Sequence, residues 1–118
     1  MDQKAALKQR YKENPPPSGV FKITNTANGK VFVGKGMNVQ GILNGQKAQL
    51  RWGSHRNQGL QEDWNRFGPD CFTFEVLDAL VAPDDPRQDM GKDLEALRRL
   101  WLDKLEPYGE KGYNDPTG

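Results

Sequence analysis

The chain has 118 residues, of which 35% are hydrophobic and 28% charged, with a formal net charge of +1. That length suits one compact domain, and no apolar run approaches the ~20 residues needed to cross a bilayer. Met1-Asp2-Gln3-Lys4 opens no secretory-type apolar segment, and the single Cys71 excludes an internal disulfide or a cysteine-cluster zinc site. A cytoplasmic protein with no membrane partner is the expectation.

Residues 3–12 are mostly good helix formers, and residues 1–14 are expected as an N-terminal helix. Pro15-Pro16-Pro17 stops it and makes a stiff link. Gly19 to Thr24 and Lys30 to Gly34 read as the two strands of a hairpin, with Asn28-Gly29 as its turn signal. Period-2 alternation puts Phe21 and Ile23 on one face and Val20, Lys22 and Thr24 on the other. In the second strand Phe32 faces away from Val31 and Val33.

Asn38 is a plausible N-cap for a helical stretch over 39–56 that Gly41 and Gly45 are expected to break in two. Leu60, Trp64 and Phe67 at i, i+4, i+7 predict a short helix over 59–67 that Gly68-Pro69 ends. Cys71 to Leu77 alternates as a third strand. An acidic, proline-containing loop at 83–91 precedes the clearest amphipathic helix, 93–105, with Leu94, Leu97, Trp101 and Leu105 on its apolar stripe. The tail holds Gly112-Tyr113-Asn114. The predicted class is α+β: a small three-stranded antiparallel sheet flanked by helices, in one domain over 18–114.

The near-neutral total hides an asymmetry. Residues 1–60 carry ten Lys/Arg and two Asp/Glu, about +8, and residues 61–118 carry seven and fourteen, about −7. A basic face for a polyanion is one reading; mutual neutralisation of the two halves in the fold is the other.

Six landmarks in this order resemble the GIY-YIG nuclease superfamily. Gly19-Val20-Phe21 and Phe32-Val33-Gly34 stand where that family has Gly-Ile-Tyr and Tyr-Ile-Gly. Arg51-Trp52-Gly53-Ser54-His55 is similar to its arginine-bearing helix, Phe72 to Leu77 to its third strand, Trp101-Leu102 to the helix that carries its metal-binding glutamate, and Gly112-Tyr113-Asn114 to its closing Gly-Tyr-Asn. The resemblance implies a DNA partner and cleavage of phosphodiester bonds with Mg²⁺ or another divalent metal. It also implies catalytic positions at Phe21, Phe32, Arg51 and Asn114, which surround the scissile phosphate.

The residues at those positions complicate the chemistry. Phe21 and Phe32 lack the phenol oxygen that could orient water or pass a proton, and read equally as strand packing. Arg51 offers a bidentate phosphate contact or a solvated helix arginine. Lys47, Arg51 and His55 recur at four-residue spacing and suggest one basic helix stripe with Arg56 at its edge. His55 could serve as a substitute proton-transfer group. Three residues before Trp101, where the family has its glutamate, stands Arg98, which would repel a metal. Glu95, one turn earlier, is the substitute metal ligand, or else simply pairs with Arg98 or Arg99. Lys30 and Lys35 flank the second strand and, with Lys47, Arg51, Arg56 and Arg98, make up the expected nucleic-acid contacts. Three readings stay open: an endonuclease-type fold with weak or lost hydrolysis; a non-catalytic nucleic-acid or protein interaction domain that reuses the cleft as an anion site; and a scaffold that never meets nucleic acid, which the modest net charge would suit.

Overall fold

The computed structural model describes residues 17–80 and 91–116; the expected N-terminal helix and nearly all of the acidic loop lie outside them. Three strands, β1 (Ser18–Asn25), β2 (Val31–Gly36) and β3 (Phe72–Leu80), form one antiparallel sheet in the order β2-β1-β3. Three helices flank it: α1 (Val39–Trp52), α2 (Gln58–Phe67) and α3 (Gly91–Leu105). None is long and apolar enough to cross a membrane.

β1 is the central strand, paired along both edges, and helices cover both of its faces, so the alternation in its sequence divides the core in two. Phe21 and Ile23 join Val39, Leu43 and Leu50 of α1, Leu60 and Trp64 of α2, and Phe72 of β3. Val20 and Val33 join Leu94 and Leu102 of α3. The helices thus lie on opposite faces of the sheet. Burying a large aliphatic or aromatic side chain stabilises by about 1.5–3 kcal/mol, so these two clusters are the main force holding the layers.

The hairpin turn differs from a two-residue Asn-Gly turn. The Asn25 N–H donates to Lys30 O at 2.9 Å and the Gly29 N–H to Asn25 O at 2.7 Å, which closes a four-residue loop. Asn25 explains the change: its buried side chain accepts from the Ala27 N–H at 3.0 Å and donates to the Tyr113 hydroxyl at 3.1 Å. The Tyr113 hydroxyl donates in turn to Asp63 at 2.7 Å, tying loop, α2 and tail together. Burial, then the Asp63 carboxylate, pushes the Tyr113 phenol up to about 12.

α1 is continuous through Gly41 and Gly45, against the expected break. Each glycine costs about 1 kcal/mol against alanine. Burial of Val39, Leu43 and Leu50 and the Asn38 cap, which accepts from the Gly41 N–H at 3.1 Å, offset that cost. The helix stops at Trp52, because Gly53 takes the left-handed conformation (φ 74°) and its N–H closes on Leu50 O.

β3 runs three residues further than its sequence pattern suggests. Leu77 is extra in the ladder, between Val76 opposite Phe21 and Asp78 opposite Val20. The bulge re-aims the strand: Phe72 and Phe74 pack toward α1 and α2, and Leu77 and Leu80 toward α3.

Candidate functional site around the edge strand

Three of the family-like positions, Phe21, Phe32 and Asn114, gather on or beside β2, an edge strand of the sheet. Phe32 projects from it on the α1 side, half-buried, 6.3 Å from the Phe21 ring. Phe21 is only 1% exposed and reaches across β2 at Gly34, where an added Cβ would stand 2.4 Å from the ring's Cζ. That is the corner of the ring where a tyrosine would carry its hydroxyl.

Asn114 closes the outer edge of the strand. Its side-chain oxygen accepts from the Val33 N–H at 2.8 Å and its amide donates to Val33 O at 2.9 Å. The Tyr113 N–H donates to Val31 O at 3.0 Å. The tail therefore protects backbone groups that an edge strand leaves open, and both polar atoms of the Asn114 side chain have backbone partners.

On the α3 side, Lys35 of β2 meets Glu95 at 2.6 Å. Arg98 grips the same carboxylate through two bonds, 3.0 Å to Oε2 and 2.8 Å to Oε1, and Arg99 approaches at 3.7 Å. The hydrogen bond from Arg98, then that from Lys35, pulls the Glu95 carboxyl down to about 2. A divalent cation asks for several hard oxygen ligands. Here three cations already surround one carboxylate, and among the described residues no group of three His, Cys, Asp or Glu converges on a point. A divalent metal does not fit at Glu95 as it stands.

This arrangement has a pH signature. The carboxyl titrates at 4.5 in an unstructured chain and near 2 here. Its contribution to stability is present above pH 4.5 and is lost as pH falls toward 2. With a third of the side chain facing water, it is worth under about 1 kcal/mol. Urea unfolding of the native chain and of Glu95→Gln should differ at pH 6, and the difference should shrink as pH falls below 4.5 and be mostly gone by pH 2. A constant difference across that range would show that the cluster is not ionised as described.

A cavity of about 450 Å³ opens on the α1 side of β2, lined by Phe32, Gln46, Gln49, His55, Arg56, Asn57, Asn114 and Asp115. His55 is buried at its inner wall, its ring edge-on to Phe32 at 5.6 Å. Its Nδ1 accepts from the Asn57 N–H at 3.0 Å, and its Nε2 pairs with the Gln46 side-chain oxygen. The imidazole is thereby fixed as the Nε2–H tautomer, and burial pushes its pKa down. Both ring nitrogens have partners within the fold.

The remaining positions scatter. Because α1 ends before it, His55 leaves the Lys47–Arg51 stripe that the four-residue spacing suggested. Lys47 lies over the Phe74 ring at 5.5 Å, on the β3 side, and Arg51 follows one turn later, exposed. Lys30 lies over Tyr113 at 5.6 Å. Arg56 alone of the expected basic contacts lines the cavity. Sequence reading missed Gln46 and Gln49, whose three-residue spacing on one helix was the available signal. It also missed Asn57, whose side chain caps α2 by accepting from the Leu60 N–H at 3.0 Å.

An open three-stranded sheet with helices on both faces and the two glycine–aromatic segments paired at its edge defines the GIY-YIG class of nuclease fold. Comparison with solved structures agrees. The catalytic domain of homing endonuclease I-TevI aligns with a TM-score of 0.65 and 26% identity, covering 82% of this chain and 96% of that one. A point mutant of the catalytic domain of intron endonuclease I-TevI aligns at 0.66 and 24%, covering 83% and 92%. No family model and no curated protein matches the sequence. The chain is thus placed in the GIY-YIG superfamily by its fold.

Proposed function

We propose that this chain is a nuclease-fold domain that binds nucleic acid, with DNA the first candidate, and has lost efficient metal-dependent hydrolysis. The observation that carries the reading is the Lys35–Glu95–Arg98 cluster beside a strand whose two motif aromatics are phenylalanines. An endonuclease must bind the backbone, activate water and offset charge on the phosphate. Cations for the first task remain at Lys35, Arg51, Arg56 and Arg98. The phenols do not, and the Glu95 carboxylate is held by Arg98 and Lys35; the carboxylate on the cavity wall is Asp115. General acid–base groups contribute typically about 10²–10⁴-fold each, so their loss leaves little rate. The likeness to a homing endonuclease domain supports DNA as the polymer.

Plasmid nicking with Mg²⁺ tests the hydrolytic half: little or none is expected. Robust cutting that disappears in Glu95→Ala or His55→Ala would overturn it. Binding tests the other half. Affinity for DNA should fall with salt, and Arg51→Ala should shallow the log–log slope by about 0.9. No detectable affinity at low salt removes the nucleic-acid reading.

One observation favours the interaction-domain alternative, in which the site holds an anion without hydrolysis: Lys35, Arg98 and Arg99 outnumber Glu95 three to one. Under that reading Arg98→Ala weakens DNA binding more than Arg51→Ala does.

A further inference from the structure

Trp52 is 80% exposed, the most exposed large apolar side chain among the described residues. Two residues beyond the buried Leu50, it stands about 200° round the helix, facing water. Single exposed hydrophobic residues are ordinary, but this one has a particular setting. Arg51 precedes it in the last helical turn, and Ser54 and Arg56 follow in the loop. No Asp or Glu occurs between Glu13 and Glu62; of the cations in that span Lys22 and Lys35 pair with Glu75 and Glu95, and Arg51 and Arg56 are the two that neighbour Trp52 in sequence. Arg56 also lines the cavity, together with Gln46, Gln49 and Asp115.

From this we infer that Trp52 is a stacking platform for an unpaired base, with Arg51 and Arg56 taking the flanking phosphates, so that the ligand is single-stranded nucleic acid. An indole face and a base face attract one another without regard to sequence, and cations beside them track the backbone. A duplex hides its base faces and offers Trp52 only sugar and phosphate. Charge favours nucleic acid over a protein partner: tryptophan and arginine also mark protein hot spots, but the segment 50–61 around Trp52 carries Arg51 and Arg56 and no Asp or Glu, and among the described residues Asp115 is the one carboxylate on the cavity wall that Arg56 shares. The inference rests on the nucleic-acid reading proposed above and narrows it to one strand.

The test measures fluorescence anisotropy of labelled oligo-dT of about 15 nucleotides, long enough to cover one small domain, beside a duplex of the same length, at low salt. Trp52→Ala should weaken oligo-dT binding by roughly 5- to 100-fold, and Trp52→Phe should recover most of the loss. Duplex binding should stay at the native level in both variants. The thermal midpoint of Trp52→Ala should match that of the native chain, because the side chain faces water. Native-level oligo-dT binding by Trp52→Ala, or an equal loss on both ligands, overturns the stacking platform while leaving nucleic-acid binding in place. Failure of the native chain to bind either ligand overturns both readings and turns the patch toward a protein partner.

Discussion

Phe21→Tyr, Phe32→Tyr and Arg98→Glu, combined in one chain, are expected to raise Mg²⁺-dependent plasmid nicking by at least about 10²-fold over the native protein. The three changes address the three deficits around β2. A hydroxyl on Phe21 extends from Cζ across the backbone at Gly34, and one on Phe32 enters the cavity beside His55. Replacing Arg98 removes the two shortest arginine contacts to Glu95 and sets a second carboxylate one turn along α3. Lys35 remains to neutralise one of the pair. Metal binding can be read separately from cleavage. Mg²⁺ should raise the thermal midpoint of Arg98→Glu and leave that of the native chain alone, since a ligand stabilises only the state it binds. No shift in Arg98→Glu would show that α3 cannot hold a metal beside β2. A shift without nicking in the triple variant would show that the missing phenols are not what silences the site.

What the sequence made legible was largely local. The alternation of Gly19 to Thr24 set the two faces of β1, and both core clusters follow it. The i, i+4, i+7 spacing of Leu60, Trp64 and Phe67 located α2, and Asn38 capped α1 as its residue type suggested. The failures have a common physical source, which is competition from partners distant in sequence. Asn28-Gly29 promised a tight turn, but Asn25 is held by Tyr113, 88 residues away, and the loop widened. Glycines promised a break in α1, but packing on the sheet overrode propensity.

The site was legible to a similar depth. Glu95 pairing with Arg98 or Arg99 was readable from helical spacing, and both contacts form. Lys35, 60 residues away, was not readable, yet it makes the shortest of the three. The proposed Arg51–His55 stripe depended on helix continuing past Gly53, and one left-handed residue moved His55 off the stripe and into a buried wall. Asn114 was visible as a motif residue, but nothing in the chain indicated that both of its polar atoms would bind Val33.

Gly34→Ala is expected to destabilise the fold by about 1–3 kcal/mol, the usual cost of overpacking a filled core. The new Cβ would stand 2.4, 2.8 and 3.0 Å from three carbons of the Phe21 ring, so the ring or the strand must shift. The ring is itself enclosed by the α1 and α2 cluster, so it cannot step aside freely. Phe21→Ala should cost more, about 3–5 kcal/mol, through lost burial and a cavity. If the two residues act as one packing unit, Gly34→Ala in a Phe21→Leu background should cost less than it does alone, with a coupling of about 0.5–3 kcal/mol measurable by a double-mutant cycle. Additive costs would sink that claim. The cycle also separates two reasons for a glycine at this point of β2. A glycine kept for close approach of a phosphate would, when changed, reduce DNA binding and leave stability alone. A glycine kept for the Phe21 ring does the reverse, and the ring contact predicts the second result even in a chain that cleaves nothing.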